Sequence, residues 1–593
     1  MSFRLLVAAG AAMCALGVPV LSAHAAEASA GLSTDPVLAA EIAQLRAQEF
    51  ERRNIYQVRF PSVQTARRAA ITFHDGLLGS DLAHATLTIE LDDENLERLR
   101  ADGYSVEPAD AFLARRDATL RVLERAGPGA TLLGQHAVSG YDELSAESIP
   151  GYPCYETVTE TFAAAAAIAS AHPTLATWLD VGDSWEKAHG LGGHDMRVLK
   201  LTNSAVVGTK PKMLITSAIH AREYTTAPLA LAFAKQLVDG YGVDPDATWI
   251  LDHHEIHLLL HTNPDGRVKA EAGLLWRKNT NQAYCGANSN DRGADLNRNF
   301  EFSWNSTHGQ GSSGRQCDET YRGASAGSEP EVQAVQAYAR SLWPDNRGPN
   351  RDDPAPDDTS GLHIDLHSYS ELVLWPWGDT SQKAPNGTAL QTLGRKFAWY
   401  NGYYPEQSIG LYPTDGTSDG PSYGELGVPA FTFEMGTDFF QSCSVYTNTI
   451  KPANLAALTY AARILRTPYQ TPAGPDLSAL KLKPDATTKA VRAGKPVQLT
   501  AKATDTHFST ANGAEPTQPI AAAEYYVDTP PWIGGADAFP MSAADGAFDS
   551  KTEKVVSTID TTGWASGSHL VFVRSKDNAG RWGAFSAVFL KIN

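Results

Sequence analysis

The sequence predicts an α/β domain, a mixed sheet flanked by helices, set between a small N-terminal α+β module and a C-terminal β-sandwich. Three observations predict this. From about residue 149 to 467, short β-branched runs alternate with Ala/Leu-rich helical stretches, the pattern of an α/β sheet. Residues 27–145 differ in texture, with short alternating runs around one charged amphipathic segment. After Thr471-Pro472-Ala473-Gly474-Pro475, residues 475–593 become short alternating strands separated by turns, as in Ig- or fibronectin-type sandwiches. A chain of 593 residues is in any case too long for one core.

In chain order, residues 1–25 read as an export signal. Arg4 precedes an apolar run from Leu5 to Leu21, then the small-x-small site Ala23-His24-Ala25. A secreted or periplasmic protein is therefore expected, with no later apolar stretch long enough to span a bilayer. Removal of the signal leaves Cys154, Cys285, Cys317 and Cys443, an even number that favours two disulfides with three pairings open.

In the N-terminal module, strands are expected at Ile55–Phe60, Ala85–Leu91 and Tyr104–Glu107, and helices at Val63–Ala70 and Asp92–Asp102. An Arg-rich helix (Arg115, Arg116, Arg121, Arg125) and the breaker Gly127-Pro128-Gly129 end it. The central region predicts strands Lys212–Thr216, Ile250–Leu260, Leu362–Leu366 and Ala430–Phe433, with helices Ala227–Val238 and Ala453–Leu465. The C-terminal region predicts strands Pro496–Ala501, Ala521–Val527, Lys554–Ile559 and His569–Arg574.

A net charge of -18, from 49 Lys+Arg against 67 Asp+Glu, argues against nucleic acid or an anionic membrane as partner. The chemistry-bearing residues cluster just past apolar runs. His220-Ala221-Arg222-Glu223 follows Lys212–Thr216, with Glu223 expected to enter the next helix. His367 ends one strand and Glu434 another, and Asp295-Leu296-Asn297-Arg298 follows a Gly/Asn/Asp-rich loop. Functional residues gather at the carboxyl ends of parallel strands, so one shared site is expected. A mixed His/carboxylate set of three with an open position suits a catalytic metal. The run His253-His254-Glu255-Ile256-His257…His261 reads as part of a strand with packed or solvated histidines.

These motifs, with Asn263-Pro264-Asp265-Gly266, Trp276-Arg277-Lys278, His367-Ser368-Tyr369-Ser370 and Tyr412…Phe431-Thr432-Phe433-Glu434, resemble the zinc carboxypeptidases of the pancreatic and secreted bacterial type. The resemblance runs over residues 149–467. It implies one Zn2+ held by His220, Glu223 and His367, Glu434 as general base, and Asp295 behind His220. It also implies that Asn297 and Arg298 clamp the substrate's free carboxylate, with Arg222 assisting. Tyr412, 22 residues before Glu434, matches a mobile tyrosine, with Tyr423 as rival. Ungapped counting puts Asp419 at the floor of the specificity pocket, where an acid favours C-terminal Lys or Arg.

Four residues after Trp276 the resemblance calls for an oxyanion-stabilising arginine, and Thr280 stands there, which leaves Arg277 or the metal to serve. It further implies the disulfide Cys285–Cys317, and hence Cys154–Cys443. The expected activity is hydrolysis of the C-terminal peptide bond by a secreted, monomeric enzyme. Its N-terminal module would resemble a pro-region removed by an activating protease. The alternatives are a cell-wall D- or isopeptide hydrolase using the same site and, more remotely, an inactive peptide-binding protein. Calcium in the loop Asn288–Asp295 is a further candidate ion without motif support.

Overall fold

The computed structural model describes residues 36–73, 76–81, 84–126 and 148–593. The expected signal over 1–25 and the breaker Gly127-Pro128-Gly129 lie outside them.

The N-terminal module is a four-stranded antiparallel sheet of β1 (Ile55–Arg59), β2 (Leu77–Asp81), β3 (Thr86–Glu90) and β4 (Ser105–Pro108), in the order β2-β3-β1-β4. Its two expected helices start on side-chain caps. Ser62 accepts from the Thr65 amide (3.1 Å) and Asp92 from the Asn95 amide (2.7 Å). Leu87, Ile89, Val58, Leu96 and Leu99 form its core. The helix Pro36–Glu51 and strand β2 were not foreseen. That helix buries the charged side chains of Arg46 and Glu49 against its neighbours, so its apolar periodicity is blurred. The β2 sequence Leu-Leu-Gly-Ser-Asp lacks alternation altogether.

The central sheet has eight strands: β5 (Ala176–Asp183), β6 (Asp195–Leu201), β7 (Lys212–Ser217), β8 (Glu255–Leu259), β9 (Leu362–His367), β10 (Leu372–Trp375), β11 (Tyr404–Gln407) and β12 (Ala430–Glu434). Their order is β11-β10-β12-β9-β7-β8-β6-β5. Neighbours β12, β9, β7 and β8 run parallel, β6 pairs antiparallel with β8 and β5, and β10 pairs antiparallel with β12 but parallel with β11. The sheet is mixed, as expected. Helices Thr226–Gly240, Gly387–Asn401 and Lys451–Arg463 contribute Phe233, Leu237, Leu393, Phe397 and Leu458 to its main core.

One expected strand is corrected. Residues 250–253 of the predicted run Ile250–Leu260 belong to the helix Pro245–His253, and only Glu255–Leu259 is strand. Asp244 caps that helix, accepting from the Ala247 amide at 2.7 Å, and Pro245 stands in its first turn. His254 closes it with Nδ1 on the Ala462 carbonyl (2.8 Å), and His257 Nδ1 meets the Tyr338 hydroxyl (2.7 Å).

The C-terminal region is a seven-stranded antiparallel sheet: β13 (Asp476–Lys483), β14 (Val497–Thr504), β15 (Ile520–Val527), β16 (Phe539–Ala543), β17 (Thr552–Ile559), β18 (Gly567–Asp577) and β19 (Ser586–Ile592). In the order β13-β14-β17-β16-β15-β18-β19, β16 joins two halves that enclose Leu499, Val555, Val573 and Leu590. This sheet is fastened to the central α/β body. Buried Lys396 donates to buried Asp476 (2.8 Å), Arg395 to Glu515 (2.6 Å), and Trp532 packs 5.9 Å from Trp249. Disulfides join Cys154 to Cys443 and Cys285 to Cys317.

The Lys396–Asp476 pair yields a stability prediction. Lys396→Met leaves the buried Asp476 carboxylate with only the His507 imidazole (3.3 Å) among the described ion-pair partners. It should cost about 3–5 kcal/mol in urea unfolding, while Lys396→Met/Asp476→Leu should recover most of that loss. A single variant as stable as wild type would show the pair to be dispensable.

Candidate active site

Three adjacent parallel strands deliver the site. In the β12–β9 register Glu434 lies directly opposite His367, so both sit at the same sheet edge. Strand β7, on the other side of β9, ends at Ser217 and passes into a compact turn that carries His220 and Glu223. Glu223 does not enter the next helix, which starts at Thr226. Instead Ala218 takes a left-handed conformation (φ 52°), and the turn folds Glu223 back toward His220.

His220, Glu223 and His367 are all buried, and their ligand atoms lie within 4.8 Å of one another. His220 Nδ1 is 2.7 Å from Glu223 Oε1, and His367 Nδ1 is 3.2 Å from Glu223 Oε2. The Ser368 amide also donates to Glu223 Oε2 (3.1 Å). The outward ring nitrogens each meet a carboxylate. His220 Nε2 faces Asp295 Oδ1 (3.1 Å) and His367 Nε2 faces Asp365 Oδ2 (2.9 Å). Two imidazoles anchored from behind, with free faces converging on one carboxylate, form a donor set that fits a zinc ion.

Asp295 serves twice. It also caps the short turn Leu296–Arg298, accepting from the Asn297 amide at 3.0 Å. Arg277 donates to its other oxygen through Nε (3.1 Å) and Nη2 (2.8 Å). Burial opposes ionisation of Asp295, but Arg277 and His220 outweigh it and hold the carboxyl well below its usual range. Arg298 is held through Nε on the Gly311 carbonyl and Nη1 on the Asn297 carbonyl, both 2.7 Å. Among the described residues it has no carboxylate partner. Arg222 donates to Glu319 (3.0 Å) and lies 4.4 Å over the Phe439 ring. Burial pushes the Glu434 carboxyl up to about 7; His367 opposes this and Glu223 adds to it.

A single cleft is lined by His220, Glu223, His367 and Glu434 together with Arg222, Arg277, Asn297, Arg298, Tyr412 and Asp419. Asp295 stands behind it. Tyr423, the rival to Tyr412, is fully buried with its hydroxyl on Asn386 (3.3 Å) and its ring against Trp377. Thr280 is likewise fully buried and does not line the cleft. Its neighbours Asn279 and Asn281 both donate to Glu329 at 2.9 Å, outside the cleft, whereas Arg277 turns into it. Arg277 thus lines the cleft with Arg222 and Arg298, while Thr280 stands outside it.

Sequence reasoning passed over Asp365, Ser418, Glu319 and strand β2. The residues Leu77–Ser80 line the cleft too, with Ser80 Oγ 2.9 Å from Ser370 Oγ. A Cβ on Gly79 would fall 1.4 Å from the Tyr369 hydroxyl, so β2 lies against that side chain. The Asn288–Asp295 loop turns to the N-terminal helix: Asn290 donates to the Leu45 carbonyl (3.1 Å) and Asp291 pairs with Arg52 (3.0 Å).

A mixed sheet whose parallel strand ends present two histidines, a glutamate and a facing carboxylate defines a single-metal hydrolase. Comparison with known proteins narrows the class. The profile of the zinc carboxypeptidase family matches residues 162–457. The chain is 30% identical to a zinc carboxypeptidase of Saccharothrix mutabilis subsp. capreolus over 65% of its own length and 81% of that protein's. It is 31% identical to carboxypeptidase A1 of Bos taurus over 48% of its own length and 63% of the bovine chain. In fold it resembles a carboxypeptidase A from Helicoverpa armigera, at 20% identity and a TM-score of 0.52, covering 69% of this chain and 95% of that one. The chain belongs to the zinc carboxypeptidase family. It is a metallocarboxypeptidase.

The placement of Arg277 and Thr280 is testable by kinetics. Arg277→Gln should lower kcat by about 10²–10³, the loss typical of one oxyanion donor. Thr280→Ser should leave kcat/KM within about twofold, as for a substitution without contact to substrate. The reverse ranking would return the oxyanion role to position 280.

Proposed function

We propose that this chain is an exported zinc enzyme that releases single residues from the carboxyl ends of peptides, with a preference for Lys and Arg. The carrying observation is the convergence of His220, Glu223, His367 and Glu434 in one cleft with Arg298, which has no carboxylate within ion-pair distance among the described residues. Zinc held by His220, Glu223 and His367 would supply Lewis-acid polarisation of the scissile carbonyl and a water of lowered pKa. Glu434, across the β12–β9 pair from His367, takes the attacking water's proton and returns it to the leaving amine. A carboxyl poised near neutrality suits both transfers. Arg298 and Asn297 hold the terminal carboxylate, for which a guanidinium offers two parallel donors. Arg277 offers positive charge beside the reacting carbonyl, and Tyr412 closes over the bound residue.

Asp419 supports the basic preference. It lines the cleft, accepts from the Thr417 hydroxyl, and burial raises its carboxyl above the ordinary value. A substrate ammonium or guanidinium would restore the charged form by pairing with it. Asp419→Ile should reverse the preference between peptides ending in Lys and in Phe, measured as the ratio of kcat/KM. An unchanged ratio would remove Asp419 from the pocket.

The N-terminal module fits the part of a pro-region. With β2 in place the cleft holds about 100 Å³, below the roughly 300–1,000 Å³ of ligand sites. Charge pairs hold the module down. Arg67 reaches Glu406 (2.6 Å), Glu41 takes Lys269 (3.1 Å) and Arg292 (2.6 Å), and Arg115 meets Asp438 (3.1 Å). Cleavage after the Arg-rich helix Asp110–Ala126 should raise kcat/KM by more than tenfold. Unchanged activity after complete cleavage would make the module a permanent folding or positioning domain.

The activity itself is tested by residue release from peptides ending in Lys, Phe or Glu. A zinc chelator should abolish it, and Glu434→Gln should lower kcat by at least about 10²–10⁴. Chelator-resistant release would sink the zinc mechanism.

A further inference from the structure

Each imidazole of the metal set is backed by a carboxylate, and the two carboxylates are held in different ways. Asp295 shares its charge with Arg277. Asp365 has no cationic side chain of Lys or Arg within ion-pair distance among the described residues. It is buried on β9, on the same face as His363 and His367, because side chains two apart on a strand point the same way. Thr216 of β7 is its cross-strand partner.

The hydrogen bonds around Asp365 have one consistent direction. Its Oδ1 accepts from Thr216 Oγ1 (2.7 Å), and Oδ2 accepts from the Ser418 hydroxyl and faces His367 Nε2 (2.9 Å). A carboxylate only accepts. The Thr216 hydrogen is therefore committed to Asp365, and its oxygen takes the N–H of His363 Nε2, 2.9 Å away. Burial lowers His363 to about 4, so the ring is neutral and Nδ1 keeps its lone pair. That lone pair faces the Ser422 hydroxyl at 2.9 Å. Ser422, His363 and Thr216 thus pass hydrogens toward Asp365, which leaves His367 one option. Its Nε2 carries the hydrogen, and its Nδ1, on the side of Glu223, is free to ligate.

The same network reaches the substrate clamp. The Ser418 amide donates to Asn297 Oδ1 (2.8 Å), which turns Asn297 Nδ2 to within 3.3 Å of His367 Nε2. With its hydrogen given to Asp365, His367 Nε2 has no lone pair to accept from that amide, whose hydrogens are left for an incoming carboxylate.

We propose that Asp365 is a positioning residue that fixes His367 in its ligating tautomer and, through Ser418, sets the orientation of Asn297. This rests on the zinc reading above and goes further, since neither the motifs nor the family likeness assigns Asp365 a role. An asparagine is nearly the same size, but its NH₂ can donate toward Nε2. That would move the imidazole hydrogen to Nδ1 and block the nitrogen that ligates.

The test is zinc affinity of the full-length chain, measured by competition with a chelator, together with the visible spectrum of the cobalt-substituted protein. Asp365→Asn should weaken zinc binding by about 10–100-fold, the range for lost carboxylate support of a ligand histidine. Its cobalt spectrum should change while the metal-free protein melts within a few degrees of wild type. Should Asp365→Asn fail to fold, Thr216→Val and Ser418→Ala each remove one donor and keep the carboxylate, and each should weaken zinc severalfold. Wild-type zinc affinity and an unchanged cobalt spectrum in Asp365→Asn, or in both substitute variants, would overturn the proposal. A wild-type chain that binds no zinc would instead overturn the metal reading, and this proposal with it.

Discussion

The structure depends on the parallel pairing of β12, β9 and β7. In that arrangement a single register places Glu434 opposite His367 and ends β7 where His220 and Glu223 must follow. A shift of one residue in either pair would send the polar side chains to the opposite face of the sheet. The register is held by what lies on that face. Ile364 and Leu366 are buried in the main core, while His363, Asp365 and His367 point to the polar side. A slip would bury charge among apolar groups and set aliphatic ones among the buried polar side chains, so the core that stabilises the sheet also positions the metal ligands.

Charge is concentrated at this edge and compensated locally. Glu223, Asp295 and Asp365 each meet a ring nitrogen of the two histidines, Glu434 lies across the strand pair from His367, and Arg277 and Arg298 stand on the cleft side. Paired or hydrogen-bonded carboxylates keep their charge in the interior, whereas burial drives Glu434 up. The site thus holds both ionised anchors and one carboxyl suited to exchange protons. The arginines and lysines around it are also used by the N-terminal module. Arg52 lies 3.5 Å from Glu319, the partner of Arg222, and so touches the site from outside.

Much of the site was legible because its residues lie at strand ends or in compact motifs, where local pattern and chemistry coincide. His220, Glu223, His367, Glu434, Asn297 and Arg298 were all named from sequence, and one cleft gathers them. The strand expected over Ile250–Leu260 failed at its first turn because the cap Asp244-Pro245 was not weighed against an apolar run. Counting from Trp276 put Thr280 where an oxyanion-stabilising arginine was expected and left Arg277 or the metal to serve, but direction of approach cannot be counted. Arg277 faces the cleft and Thr280 does not, a matter of how the segment is pinned to Glu329. Asp365 was visible at strand spacing from His367, yet nothing local distinguishes a carboxylate that backs a histidine from one that faces water.

By itself the sequence determined the α/β alternation, the chemistry of the metal set and the family. The alternation follows from hydrophobic period, which acts locally, and the metal set and the family from the resemblance carried by the motifs between His220 and Glu434. Only the tertiary structure decided that Arg277 and not position 280 faces the cleft, which carboxylates stand behind the histidines, and that β2 lies across the site. Those depend on contacts between segments far apart in the chain, such as Ser80 with Ser370 and Ser418 with Asp365. Strand pairing and burial bring such groups together, and neither can be read from the neighbours of a single residue.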